Sequence, residues 1–345
     1  MNGPVMSARR PRRSVVLATL GLLALGSVVL GLSARGSGEN GPPVEVTIPP
    51  GASFNSVVDT LLKRGILSGG RSFRLVARLT GADRQIRSGR YELVPGSPRS
   101  EILEALTSGR VMTFGMTIPE GFTIADMVSR VAETVDLPTE TVRARLADPA
   151  AHEGWAVPGP GLEGYLFPDT YLFARGVSLD VVIDAMVKRY RSVWTDPRNT
   201  RLEELDMSEN ELMTLASIIQ AEAAQVADMP TISAVYHNRL RLGYRLEADP
   251  TVLYALGGHR ERLLYAAMDS VADHPYNTYT QRGLPPGPIA APGEAAIQAA
   301  LYPADVSFLY FVARPGGSHI FTNSLAEHNQ AREVARRERD AAANP

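Results

Sequence analysis

The chain of 345 residues contains no cysteine, so it can form neither disulfide bonds nor thiolate metal sites. It also lacks a strong excess of either charge, because its net charge is -2 at pH 7. Domains that bind nucleic acid are usually strongly basic, so nucleic acid is not expected as a partner. Hydrophobic residues make up 44% of the chain, which predicts ordinary folded cores, and the length suggests two domains.

The chain has one long hydrophobic run, residues 14–34, which carries no charge over its whole length. At about 1.5 Å per residue, a helix of this length spans the core of a bilayer. A cleavable signal peptide is the alternative, but its apolar region is usually only about 7–15 residues long. The basic tail, residues 1–13, holds four arginines and should stay in the cytoplasm. We therefore expect a single-pass protein of the cytoplasmic (inner) membrane, with residues beyond 34 on the extracytoplasmic, periplasmic side.

A short linker rich in glycine and proline, residues 35–43, separates the predicted anchor from the next segment. Residues 44–110 read as a strand, two helices, and then a strand, a turn and a helix, which predicts a small α+β module. A strand, a glycine turn and a helix in this order are how LysM-type glycan-binding modules begin. The same order recurs after residue 111, where Thr123 is the predicted N-cap of a helix.

Residues 111–345 predict a larger α+β domain. Helices are expected at residues 139–146, 179–194, 209–224, 229–241, 293–301 and 324–342, and a strand near residues 308–315. Between them lie long segments rich in glycine and proline, notably residues 275–293. Long loops within a compact domain usually mark a functional site.

Glu222 is the single acid in LASIIQAEAA, residues 215–224. A helical wheel places it between Ile218 and Leu215, on the apolar side of the predicted helix. None of the residues three or four positions away is cationic, so no local ion pair is available. A desolvated carboxyl without a cation has a raised pKa, as a general acid near neutral pH requires. The alternatives are a solvated glutamate, or one that pairs with a distant arginine such as Arg239.

Two other segments offer binding groups. YNTYTQRGLPPGPIAAPG, residues 276–293, is dense in aromatic rings, hydroxyls, an amide and rigid prolines, which suits sugar binding as well as a structural wrap around the core. Asp249 precedes a predicted helix, and the alternative to a functional role is that it caps this helix with Pro250 at the first position. His319 and His328 are too sparse a pair to predict a metal site.

Five segments occur in an order and spacing that resemble one family. They are LEGYLFPDTY, LASIIQAEA, YHNRLRLGYRLEADPT, YNTYTQRGLPPGPIAAPG and HIFTNSLAEHN. Over roughly residues 44–335 the chain resembles the membrane-anchored endolytic murein (peptidoglycan) transglycosylases. In that family the central helix carries two acids separated by one residue, and the second is catalytic. Here Gln220 holds the first position, which leaves Glu222 as the sole candidate.

The resemblance implies a lytic transglycosylase, a lyase whose catalytic domain is residues 111–345 and which needs neither a metal nor an organic cofactor. It would cleave the β-1,4 bond between N-acetylmuramate and N-acetylglucosamine and leave a 1,6-anhydro end. Its partners would be peptidoglycan strands and the polymerases or transpeptidases of cell-wall synthesis, with a role in terminating strand elongation. The expected catalytic residue is Glu222, and the expected glycan-binding residues are Asn277, Thr278, Tyr279, Asn238 and Asp249.

Two rival functions remain open at this point. A lysozyme-like muramidase would hydrolyse the same bond and would need a second carboxylate near Glu222, for which Asp249 is the candidate. A non-catalytic peptidoglycan-binding scaffold is conceivable because Gln220 departs from the pattern of the family.

Overall fold

The computed structural model describes residues 41–109, 113–174, 176–258 and 268–343. Over these residues the chain is α+β, as predicted, with thirteen α-helices and three two-stranded sheets. None of the helices in this part of the chain is long and apolar enough to cross a bilayer. The predicted anchor, residues 14–34, lies outside the described residues.

The chain divides into two compact units, residues 1–114 and residues 115–345. The described elements of the first unit are β1 (Val44–Ile48), α1 (Phe54–Lys63), α2 (Gly70–Thr80), β2 (Gly89–Leu93) and α3 (Arg99–Ser108). The two strands are antiparallel, with Val46 opposite Tyr91. The α+β module predicted here is thus confirmed, whereas its likeness to LysM-type modules stays a prediction.

The core of the first unit follows from the residue patterns of its elements. In β1 the buried residues Val46 and Ile48 alternate with exposed ones, as expected for a strand with one face covered. α1 contributes Val57 and Leu61 to the same core, and its N-cap is Ser53, whose side chain accepts a hydrogen bond from the backbone of the first turn.

The elements that follow residue 113 belong mainly to the second unit. They are β3 (Phe114–Thr117), α4 (Ile124–Val135), α5 (Thr139–Leu146), α6 (Ala151–Trp155), β4 (Thr170–Phe173), α7 (Leu179–Val193), α8 (Asp196–Glu204), α9 (Glu209–Glu222), α10 (Met229–Arg241), α11 (Asp249–Ala255), α12 (Glu294–Leu301), β5 (Tyr310–Ala313), β6 (His319–Thr322) and α13 (Leu325–Ala343). β3 pairs with β4, and β5 pairs with β6 in an antiparallel hairpin. The bounds predicted for α5 and α10 are confirmed to the residue.

Reciprocal capping fixes the starts of two helices in this unit. Thr123 accepts a hydrogen bond from the backbone of Asp126, whose carboxylate in turn accepts one from the backbone of Thr123, so the predicted N-cap of α4 is confirmed. Ser208 and Glu211 form the same arrangement at the start of α9.

α9 runs through the centre of the second unit, packed against α10 and α12. All eight residues from Leu212 to Ile219 are buried, including the polar Thr214 and Ser217. The hydroxyl of Ser217 donates to the carbonyl of Thr214 at 2.7 Å and accepts from the backbone of Ile289 at 3.0 Å. The helix is therefore buried on all sides, and not along a single apolar arc as the wheel suggested.

Candidate active site

Glu222 is the last residue of the buried helix α9, and Ala223 leaves the helix in an extended conformation. Its Oε1 accepts a hydrogen bond from the hydroxyl of Tyr236 at 3.0 Å. Tyr236 lies on α10, is 1% exposed and packs with its ring edge-on to Phe311, with 5.8 Å between the ring centroids. Glu222 itself keeps part of its surface exposed. The carboxyl is thus anchored by a buried phenol.

The surroundings of Glu222 raise its pKa from 4.5 to about 7. Burial is the main cause, the negative charge of Asp249 adds to it, and the hydrogen bond from Tyr236 acts in the opposite direction. The carboxyl end of a helix also disfavours a negative charge. Near neutral pH both the acid and the carboxylate are therefore populated, as a group that first gives and then takes a proton requires.

Arg239, the cation considered as a distant partner of Glu222, is engaged elsewhere. It donates to the backbone carbonyls of Leu309 and Leu246 and pairs with Glu247 at 3.1 Å. Among the described residues, Glu222 forms no ion pair within 4.0 Å, so both alternatives to a desolvated acid, solvation and pairing with Arg239, are wrong.

Asp249 and Tyr279 lie within electrostatic range of Glu222, while their roles in glycan binding stay predictions. Asp249 is the exposed first residue of α11, and its Oδ1 accepts a hydrogen bond from the hydroxyl of Tyr279 at 2.5 Å. The N-cap of α11 is Ala248, so the interpretation of Asp249 as a helix cap is wrong. The charges of Asp249 and Glu222 both raise the pKa of Tyr279, beyond the effect of its burial. The three side chains thus form one electrostatically coupled group.

Asn277 is buried, with 1% of its surface exposed. Its side-chain amide donates to the backbone carbonyl of Val271 at 3.1 Å, and its Oδ1 accepts from the backbone of Tyr279 at 3.0 Å. In the structure Asn277 therefore holds the turn that carries Tyr279. Its predicted contact with glycan stays a prediction.

Thr278 is buried to the same extent and faces α11. Its hydroxyl accepts from the backbone of Ala248 at 2.9 Å and lies 2.9 Å from the hydroxyl of Thr251. These bonds fix the start of α11 and hence the position of Asp249. In the structure Thr278 supports the site from behind, and direct glycan binding by this residue also stays a prediction.

Asn238 lies two residues after Tyr236 on α10, about 200° around the helix, so it leaves on a different face. Its amide donates to the backbone carbonyls of Val306 and Phe308 at 2.9 and 3.1 Å, and its Oδ1 accepts from Arg241. The structure thus gives Asn238 a role in fixing the segment before β5. Its role in glycan binding stays a prediction and is the least supported of the five.

Gln220, at the position of the family's first acid, does not contact Glu222. Its Oε1 accepts a hydrogen bond from the backbone of Gly293, the N-cap of α12, at 3.0 Å. A carboxylate at this position could accept the same bond. The amide therefore preserves the contact between α9 and α12.

The loop after Glu222 is held by the β5–β6 hairpin. Gln225 donates from its side chain to the backbone carbonyl of Gly316 at 2.9 Å. Asp228 accepts from the backbone of His319 at 3.0 Å and lies 2.8 Å from its Nδ1. His319 thus binds a carboxylate of this loop. No group of three potential ligands that could hold a metal occurs within the described ranges.

Sequence reasoning missed Tyr236 as a site residue. It stands in the quoted segment YHNRLRLGYRLEADPT, yet its pairing with Glu222 joins two helices, and helical spacing within one segment carries no signal for such a contact.

A model of the YceG-like family matches residues 46–334, which is most of the chain and includes every site residue described above. The chain belongs to this family. It is 34% identical over 306 residues to a Bacillus subtilis (strain 168) protein named endolytic murein transglycosylase, with 84% of each chain covered. A Streptococcus pneumoniae (strain D39) protein of the same name is 28% identical over 317 residues, which is 83% of this chain and 57% of that protein.

A solved structure supports the same assignment. The crystal structure of a putative yceG-like protein, lmo1499 from Listeria monocytogenes, is similar with a TM-score of 0.58 and 31% sequence identity. The match covers 84% of this chain and 98% of that one.

Proposed function

We propose that this protein is a peptidoglycan lytic transglycosylase in which Glu222 is the general acid and then the general base. The observation that carries the proposal is the desolvated carboxyl of Glu222, which has no ion-pair partner among the described residues, a pKa of about 7 and an anchoring hydrogen bond from Tyr236. The relatives named endolytic murein transglycosylase support the same substrate and reaction class.

The reaction begins with the neutral acid. Because Tyr236 donates to Oε1, the proton of Glu222 is best placed on Oε2. This proton moves to the glycosidic oxygen between N-acetylmuramate and N-acetylglucosamine while the bond from that oxygen to C1 breaks. The oxygen keeps the electron pair of the broken bond, and the neighbouring N-acetyl group stabilises the cationic C1.

The second step closes the product ring. Glu222, now a carboxylate, takes the proton of the C6 hydroxyl as O6 bonds to C1, which gives a 1,6-anhydro end and restores the acid. No water is consumed, and the scheme uses neither a metal nor an organic cofactor. The negative charge of Asp249 helps twice, because it favours the protonated acid at the start and the cationic centre in the transition state.

A hydrolytic muramidase is the second candidate, and Asp249 is the observation that favours it. Its charge acts on Glu222, so two carboxyl groups stand near the same centre, as in glycosidases that use an acid with a nucleophile or base. In a hydrolase, Asp249 would be essential. In the transglycosylase scheme it assists through its charge alone and forms no bond to the sugar or to water.

Digestion of purified peptidoglycan sacculi separates the candidates. We expect wild type to release fragments with 1,6-anhydro ends, which are lighter by one water than the reducing ends of a hydrolase, as mass spectrometry can measure. Glu222→Gln should release none, while the exposed control Glu203→Gln should behave as wild type. Reducing ends would establish the muramidase, and no release by wild type would leave only the binding scaffold. Unchanged digestion by Glu222→Gln would refute Glu222 as the catalytic residue.

The setting of this activity is part of the proposal. The apolar run at residues 14–34, preceded by four arginines, supports an anchor in the inner membrane with the catalytic unit on the periplasmic side. There the LysM-like module would hold a neighbouring stretch of nascent glycan, and cleavage beside the polymerases would terminate elongation. Deletion of residues 2–34 should release the protein from the membrane fraction, and retention there would contradict the anchor.

A further inference from the structure

The second unit contains a cleft of about 830 Å³ that the reaction scheme does not use. It lies between the start of α4, the end of α5, residues 160–163 and the end of α11. Glu222, Tyr236, Asp249 and Tyr279 are not among the residues that line it. Its volume is in the range of small-ligand sites, roughly 300–1,000 Å³.

Glu163 lies in this cleft with part of its side chain exposed. Its two carboxyl oxygens lie 3.0 and 3.2 Å from the backbone nitrogen of Ile124, at the start of α4, and Tyr254 donates to Oε2 at 3.4 Å. The backbone N–H of Gly164 also donates to this carboxyl group, so most of its roughly four lone-pair positions are occupied, and a further partner would be bound mainly through the proton of the neutral acid.

Burial decides the protonation state of Glu163. The bonds from Ile124, Tyr254 and Gly164 favour the carboxylate, but desolvation outweighs them. The charge of Asp126 also raises the pKa, which moves from 4.5 to about 8. At pH 7 Glu163 is therefore mostly a neutral acid, and it can donate a hydrogen bond to the carbonyl of an amide.

The walls of the cleft suit a neutral ligand with flat, partly apolar faces. Tyr254 and Tyr276 stand with 5.0 Å between their ring centroids at a tilt of 44°, and His274 lies 5.8 Å from Tyr276. Arg143 is the single cation among the lining residues, and it lies 3.6 Å from Glu140 of its own helix. The lining contains two acids, Asp126 and Glu163, and its cation is already paired, so the cleft has little electrostatic attraction for an anion.

We propose that this cleft is a second peptidoglycan-binding site, which takes a neutral acetamido or peptide-amide group on Glu163 and packs its carrier against Tyr254 and Tyr276. The site rests on the proposed function for its substrate class, since peptidoglycan carries such amides both on its sugars and in its stem peptides. The alternative is that Glu163 has a structural role only, in which its hydrogen bonds connect the start of α4 to Tyr254 of α11.

Blocking the cleft tests the site. A Cβ on Gly161, which lines the cleft, would meet no atom within 4 Å, so Gly161→Phe places a ring in open space. Gly154 on α6 is exposed, is equally unobstructed and lies outside the cleft, so Gly154→Phe is the matched control. Both changes are made in the full chain with Glu222→Gln, so that no probe is cleaved.

The two probes are both neutral: tetra-N-acetylchitotetraose, which carries acetamido groups on sugars, and N-acetyl-L-alanyl-D-glutamine amide, which carries stem-peptide amides. We expect Gly161→Phe to weaken one of them by about tenfold in calorimetric titration, while Gly154→Phe binds as the parent does. The probe that is weakened identifies the source of the amide. Equal binding of both probes by the two variants would overturn the proposal.

The pH dependence of binding distinguishes ligand binding by Glu163 from a purely structural role, because a structural role would not make the affinity depend on pH in this way. As pH rises through about 8, Glu163 loses its proton and the parent should lose affinity. Glu163→Gln keeps an acceptor for Ile124 and a permanent donor, so its affinity should stay constant from pH 6.5 to 9.5. It also keeps Asp126, Arg143, His274, Tyr254 and Tyr276, the other titratable or charged groups that face Glu163 or line the cleft. A pH response that survives in this variant would overturn the role of Glu163.

This outcome is independent of the reaction. If sacculi yield no 1,6-anhydro ends while binding still depends on Gly161 and Glu163, the proposed reaction fails and the binding site stands. If anhydro ends form and neither variant affects binding, the proposed reaction stands and the binding site fails.

Discussion

Glu222→Gln should stabilise the second unit at alkaline pH while it removes activity. The reasoning follows from linkage between protonation and folding. In the folded protein the pKa of Glu222 is about 7, whereas a free glutamate titrates near 4.5. The folded state therefore binds more protons between these values, and the free energy of unfolding falls as pH rises from about 4.5 to about 7. Below pH 4.5 Glu222 is neutral in both states and does not lower the free energy of unfolding. Above pH 7 it is charged in both states, and the loss of stability is complete.

The difference between the two pKa values corresponds to about 3 kcal/mol, at about 1.4 kcal/mol for each pH unit. A glutamine cannot ionise and still accepts the hydrogen bond from Tyr236. At pH 8 the variant should therefore unfold with a free energy higher by up to about 3 kcal/mol, and at pH 4.5 the difference should vanish.

Tryptophan fluorescence during urea unfolding is the suitable assay. The chain has two tryptophans, Trp155 and Trp194, and both belong to the second unit, so the signal reports on that unit. Glu163 titrates in the same assay, but it is present in both proteins and cancels in the difference. The exposed Glu203→Gln serves as the control for loss of a surface charge.

A constant stability difference between Glu222→Gln and wild type from pH 4.5 to 8 would refute the reasoning. It would mean that Glu222 has the same proton affinity in the folded and unfolded chain. The acid would then be largely deprotonated at neutral pH, and the proposed proton transfer would lose its basis.

Three further substitutions test the surroundings of this acid. Tyr236→Phe removes the hydrogen bond that lowers the pKa of Glu222. The pH above which the rate of peptidoglycan cleavage falls should therefore become higher. Asp249→Asn removes the charge that raises this pKa, so the pH above which the rate falls should become lower, while the products keep their anhydro ends. Complete loss of activity would instead indicate a hydrolase. Thr278→Val leaves the buried backbone N–H of Ala248 without its acceptor and should lower the stability of the second unit by about 1–3 kcal/mol, measured by urea unfolding; an unchanged midpoint would contradict the support role of Thr278.

Local signals in the sequence were sufficient for most helices. The spacing of apolar residues and the capping residue Thr123 are properties of a few neighbouring positions, and α5 and α10 begin and end where these signals place them. α9 ends two residues earlier than predicted, at Glu222. The loop that follows is tied to Gly316, 91 residues further on, and no local pattern reports such a contact.

The candidate site was predictable in part. Glu222 stood out because a single acid without a nearby cation is a property of its own segment. The roles of Asn277 and Thr278 were not predictable in the same way. Amide and hydroxyl side chains suit sugar binding, but only the fold decides which groups these two side chains contact. Thr278 is committed to Ala248, thirty residues earlier in the chain, and the resulting burial follows from that long-range bond.

α11 connects the surroundings of two acids, Glu222 and Glu163. Its first residue, Asp249, acts on Glu222, and Tyr254, five positions later, donates to Glu163. A helix of seven residues moves as a rigid body, so a ligand that displaces Tyr254 would also shift Asp249 and with it the proton affinity of Glu222. Such a linkage works equally in both directions. Substrate held at a distance from the scissile bond could then adjust the pH range over which that bond is cut.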